Sequence, residues 1–186
     1  MPAPDLMTEH GLDVKKGWFD MASLDYSAKK AAGLDFDIKR GRVVYVNQDG
    51  EFVPGVHQTN VAIFLLNGSA DADVSNPGTT AGGNFMHLAI APTGKMSGLV
   101  ATGGYEISST EFKTDRTYVP GDLLTANTCA SPNAYDGKLT NNGVTQYVTP
   151  VCGVVSSGAT LNHNGIPALS FWTVWLPGAT NWTPGG

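Results

Sequence analysis

Turn-forming residues recur about every ten positions from Asp35 onward, and that rhythm restricts the possible folds more than any other feature. Asn47-Gln-Asp49-Gly50 separates Arg42-Val-Val-Tyr-Val46 from Glu51-Phe-Val53, an arrangement that predicts a β-hairpin because Asp-Gly tolerates the positive φ of a tight reversal. Pro54-Gly55, Pro120-Gly121, Asp136-Gly137, Asn142-Gly143, Asn164-Gly165 and Pro177-Gly178 punctuate the chain in the same way. Between them lie short runs rich in Val, Ile, Leu and aromatic residues. Strands are expected at 42–46, 51–53, within 56–66, at 85–90, 99–100 and 105–107, then around 138–140, 147–149, 152–155 and 168–176. Gly numbers 23 and Pro 11, while charged residues are only 15% of the chain, well short of the usual quarter of a globular protein. Solvated helix faces would need far more Glu and Lys.

These features predict an all-β protein, a β-barrel or β-tulip-like domain or a sandwich, with at most one short helix. That helix is allowed over 21–34, where Ala and Lys are frequent and Gly33 would stop it. The organisation expected is an extended N-terminal arm over 1–20, a β-rich barrel-like domain over 21–178 and a C-terminal tail over 179–186. An internal echo joins two of the turns. Gly41-Arg42-Val43 leads to Gly50-Glu51-Phe52, and Gly121-Asp122-Leu123 leads to Gly137-Lys138-Leu139. A duplicated hairpin and ordinary hairpin chemistry explain it equally well.

The net charge is −5, and the largest basic group is the short Lys39-Arg40-x-Arg42, so nucleic acid is not an expected partner. The longest aliphatic run, 61–66, is too short to cross a bilayer, and the first ten residues carry no apolar stretch of a signal peptide. Neither a membrane nor export is expected. With two cysteines, Cys129 and Cys152, free thiols in a reducing cytosol are expected, a disulfide between them being the alternative.

No reaction centre can be assembled from sequence motifs, and no cofactor, metal or enzymatic activity is expected. His10, His57, His87 and His163 are too far apart for a helical or H-x-H metal pair. Asp71-Ala-Asp73-Val-Ser75 begins like a calcium loop, but Asn76 and Gly82 stand where that loop needs Gly and Glu. Gly94-Lys95 is followed by Met96, which breaks a phosphate loop. Ser156 sits one residue too far from Gly153 for a nucleophile elbow.

The aromatic residues carry the most functional information. On a strand, Phe171, Thr173 and Trp175 share one face while Trp172, Val174 and Leu176 share the other. Two apolar faces predict a core strand, or one whose outer side meets a partner or a sugar. Trp175 and Trp182 near the C-terminus, with Trp18 and Phe19 in the arm, are the candidate interface residues.

The series Tyr118-Val-Pro-Gly-Asp-Leu-Leu-Thr125, Tyr135-Asp-Gly-Lys-Leu-Thr-Asn141, Cys152-Gly-Val-Val155 and Leu169-Ser-Phe-Trp-Thr-Val-Trp-Leu-Pro177 resembles the capsid decoration, or cement, proteins of tailed bacteriophages. The likeness runs over roughly 35–177 and lies in the order of strand and turn types. It implies a compact β domain, often a homotrimer, that binds the major capsid protein on the outside of the shell. It also implies assembly in the host cytoplasm and residence on the virion, with no catalytic residues to carry over. Two other functions fit the residues. A carbohydrate-binding or host-recognition module would use Trp172, Trp175 or Trp182 for stacking. A hydrolase or cupin-like enzyme would need a dispersed site holding a metal.

Overall fold

The computed structural model describes residues 12–16, 25–66, 68–69, 95–126, 137–145, 148–162 and 165–179. The described elements are eleven strands: β1 (Leu12–Lys16), β2 (Asp25–Ala28), β3 (Val43–Val46), β4 (Phe52–Pro54), β5 (Ile63–Leu65), β6 (Met96–Val100), β7 (Glu106–Ser109), β8 (Leu123–Ala126), β9 (Leu139–Thr140), β10 (Val151–Leu161) and β11 (Pro167–Leu176). They form a six-stranded sheet, in the order β1-β7-β11-β10-β8-β9, and a five-stranded sheet, β2-β6-β5-β3-β4. Every ladder within both sheets is antiparallel. The all-β expectation is met.

The hairpin at 42–53 forms as read. Val46 pairs with Phe52, and the Asn47 side chain caps the reversal by accepting from the backbone N–H groups of Asp49 and Glu51 at 3.0 and 2.8 Å. The short helix allowed over 21–34 is a correction. Asp25–Ala28 is instead strand β2, paired residue for residue with β6. Ladder hydrogen bonds to β6 outweigh the weak helical preference of a four-residue stretch containing Tyr and Ser. Within the expected arm, Leu12–Lys16 adds β1 to the edge of the six-stranded sheet beside β7. The strand expected at 85–90 lies outside the described residues.

The echo in the sequence is a repeat in the structure. Adding five to each strand number of β2-β6-β5-β3-β4 yields β7-β11-β10-β8-β9, the six-stranded sheet without β1. The registers agree as well as the order. Val43↔Phe64 and Val44↔Ile63 correspond to Leu123↔Val154 and Leu124↔Gly153. Tyr45↔Val53 and Val46↔Phe52 correspond to Thr125↔Thr140 and Ala126↔Leu139. Even the irregular contacts recur. Gly41 donates to Leu65 and Leu65 to Arg42, while Gly121 donates to Val155 and Val155 to Asp122. The isolated parallel bridge Lys30↔Phe52 has its counterpart in Phe112↔Leu139. Gly41 and Gly121 hold φ of 86° and 95°, and Gly50 and Gly137 hold 76° and 81°, so each repeat enters its second and third strands, β3 and β4 in one and β8 and β9 in the other, through the same left-handed corner.

The repeats pack face to face without using equivalent faces. Val43, Phe64 and Leu99 of the first enter one buried cluster with Ile107, Leu124, Leu139, Val155, Leu169 and Phe171 of the second. Phe64 and Phe171 meet across the junction with ring centroids 5.3 Å apart. A smaller cluster, including Ile38, Val44, Phe52, Leu65 and Met96, lies on the other side of the first sheet. Two polar features pin the junction. Arg42 and Glu111, both almost wholly buried, pair through Nε and Oε2 at 2.9 Å. Val43 N–H donates to the Gly137 carbonyl at 2.9 Å, and a Cβ at Gly137 would stand 2.6 Å from the Val43 oxygen.

Candidate interaction surface

β11 lies in the middle of its sheet, so its alternating side chains are presented from a backbone fixed on both edges. Phe171 and Thr173 are buried against the junction, as the two-face reading requires. On the other face Trp172 is 39% exposed and Leu176 40% exposed. Val154 stands opposite Trp172 on β10, and Leu123 stands opposite Val154 on β8, both half-buried. Together they form an apolar row across three strands.

Glu106 of β7 stands opposite Trp172 on the remaining side. Its carboxylate accepts a hydrogen bond from the Ser156 hydroxyl at 2.8 Å, across the intervening strand β11. A fixed carboxylate therefore borders an exposed indole. Glu106 itself is buried and engaged with Ser156, so what this surface offers a partner is the indole and the apolar row.

Among the sequence candidates, Trp175 is half-buried against the junction core and contributes to packing. Trp18, Phe19 and Trp182 lie outside the described residues, as do His10, His87, His163, Cys129 and the loop containing Asp71 and Asp73. The row brings in Leu123 and Val154, which sequence reading passed over. Their signal was the echo: Leu123 follows Gly121-Asp122 as Val43 follows Gly41-Arg42.

Among the described residues, His57, Ser156 and Cys152 are engaged or enclosed. His57 lies 5.0 Å from the Tyr45 ring, centroid to centroid, and its Nδ1 accepts from the backbone N–H groups of Thr59 and Asn60. Ser156 is spent on Glu106. Among the described residues, no group of three His, Cys, Asp or Glu side chains could hold a metal ion. Cys152 is a free, fully buried thiol whose Sγ approaches the Leu124 carbonyl at 3.5 Å. Burial pushes this thiol up to about 12, too high for a nucleophilic thiolate at neutral pH.

Tyr118 behaves similarly. Burial pushes its phenol to about 12, with its hydroxyl donating to the Lys113 carbonyl at 2.8 Å. Both values exceed those of the unfolded chain, so the folded protein keeps protons that the unfolded chain releases. The resulting stability is complete below pH 9 and drains away as the pH rises toward 12. Urea unfolding at successive pH values should show stability falling above pH 9. In Cys152→Ala the slope near pH 10.5 should be shallower by about one proton, or about 1.4 kcal/mol per pH unit. An unchanged slope would place the thiol in contact with water.

Comparison with known proteins adds no relative: no family model, no curated protein and no solved structure matches this chain.

Proposed function

We propose that this chain is a virion structural protein that decorates the outer surface of a tailed-phage capsid and stabilises it by bridging coat subunits. One observation supports the reading above the others. The four segments that resemble phage cement proteins contribute to β8, β9, β10 and β11, which are consecutive neighbours in a single sheet. The likeness thus falls on one folded unit, rather than on scattered turns.

The physical case rests on presentation of surface. Antiparallel ladders hold a partly exposed apolar row on a rigid platform, while the Cys152 thiol is sealed in the interior. A cement protein needs several modest contacts, because each becomes intramolecular once the first is made. Trp18 and Phe19 in the N-terminal segment are the apolar anchors proposed to lie on the shell. The partner is the major capsid protein, the assembly a homotrimer, and the place of assembly the host cytoplasm.

Co-sedimentation with empty capsids of the encoding phage tests this reading. The protein should pellet saturably, and the double variant Trp18→Ala/Phe19→Ala should bind roughly tenfold more weakly or worse. A protein that stays in the supernatant at every concentration contradicts it. The exposed indole of Trp172 favours a second reading, a carbohydrate-binding module. Glycan-array binding lost in Trp172→Ala, with no capsid binding, would select that one.

A further inference from the structure

Asparagine followed by glycine is chemically labile, because the next backbone nitrogen can attack the side-chain amide carbon and no Cβ at glycine obstructs it. The new C–N bond closes a five-membered succinimide, and ammonia leaves with the proton of the attacking N–H. Water then opens the ring at either carbonyl, giving aspartate or isoaspartate. One water is consumed, one ammonia is released, and nothing is oxidised or reduced. The attack needs a side chain that can swing and a glycine N–H that no acceptor holds.

The chain carries this pair three times, at Asn67-Gly68, Asn142-Gly143 and Asn164-Gly165. The fold places them in different surroundings. Gly165 N–H donates to the Asn162 carbonyl at 2.9 Å, and Gly68 is buried. The related pair Asp49-Gly50 is restrained in the same way, its Gly50 N–H donating to the Asn47 carbonyl at 3.1 Å. At Asn142-Gly143 both residues are exposed, and among the described residues nothing accepts the Gly143 N–H. The space there is open, since a Cβ on Gly143 would meet nothing within 4 Å.

The flanks of this turn are tied down, which singles out the reactive pair. Asn141 spends its side-chain amide on the Thr117 carbonyl and the Asp122 carboxylate, both at 2.9 Å. The Asn142 backbone N–H donates to the Thr140 hydroxyl at 3.0 Å, and the Thr149 hydroxyl donates to the Gly143 carbonyl at 3.1 Å. The Asn142 side-chain amide, by contrast, bonds to no described residue.

We propose that Asn142 is a site of spontaneous modification, converted in the folded protein to aspartate and isoaspartate through a succinimide with Gly143. Conversion adds one negative charge to a chain whose net charge is already −5. The charge appears just after β9, at the edge of the six-stranded sheet. The isoaspartate form also lengthens the main chain by a methylene between the Thr140 and Thr149 ties. The proposal does not depend on the capsid reading, because it concerns the isolated chain.

Peptide mapping by mass spectrometry tests it on the full-length protein, aged near neutral pH either folded or unfolded in guanidinium. In the folded protein the peptide carrying Asn142 should exchange its amide for an acid and split into two isomers. The peptides carrying Asn67 and Asn164 should keep their amides. In the unfolded chain all three should convert. Asn142→Gln, whose longer side chain would have to close a six-membered ring, should lose the acidic product while unfolding at the native midpoint. Equal conversion at 142 and 164 in the folded protein overturns the proposal. So does an Asn142 that keeps its amide in the folded protein after the unfolded chain has converted fully.

Discussion

Glu111→Leu should unfold about 3–5 kcal/mol more easily than the native chain, because the substitution removes the carboxylate that pairs with a buried guanidinium. Arg42 immediately precedes β3 of the first repeat, and Glu111 follows β7 of the second, so the pair sits where the repeats are joined. Its 2.9 Å contact lies between side chains that are 2% and 1% exposed, where water cannot replace the lost carboxylate. Nearby groups tighten the same corner: the Ser109 hydroxyl donates to the Gly41 carbonyl at 2.9 Å and accepts from the Glu111 N–H at 3.1 Å. The double variant Arg42→Met/Glu111→Leu should recover much of the loss, since the buried guanidinium is removed together with its carboxylate. Urea titration of the four proteins measures the coupling. Strictly additive losses would show that the two groups do not depend on each other.

Phe171→Ala should cost about as much, roughly 3–5 kcal/mol, by the different route of an unfilled cavity. The ring is fully buried in the cluster that joins the two sheets and lies against Phe64 of the first repeat. It rests over β10 at Gly153, where an added Cβ would stand 2.6 Å from the ring edge. The backbone there is too close to the aromatic space to relax far into it. Phe171→Leu should recover most of the loss, and Trp172→Ala, one position along the same strand, should change stability much less. Equal losses at 171 and 172 would mean that the outer face is buried as deeply as the inner one.

Much of this architecture was legible in the residues, and the reasons are local. The Asn47 to Gly50 reversal predicts its hairpin because the turn needs only its own side chain and one positive φ. The alternation through Phe171, Trp172 and Thr173 predicts which side chains oppose each other, since period two is fixed by strand geometry. The echo between 41–52 and 121–139 was visible as letters. Its meaning required registers, because the repeats share hydrogen-bond positions while their side chains differ: Phe64 answers to Val154, and Leu99 to Trp172.

What the residues concealed depended on distant partners. Asp25–Ala28 has the composition of a weak helix, and only pairing with β6 makes it a strand. Trp175 and Trp172 have the same chemistry three positions apart, yet one packs on the junction and the other faces outward. Strand parity separated them, but which parity faces the core was set by the first repeat.

The proposed role is that of a protein held on a capsid shell through the surfaces it presents. Quantitative mass spectrometry of purified virions of the encoding phage measures that directly. The account predicts this chain in a fixed stoichiometric ratio to the major capsid protein, retained through repeated banding. Virions that carry the coat protein in full and none of this chain would contradict it.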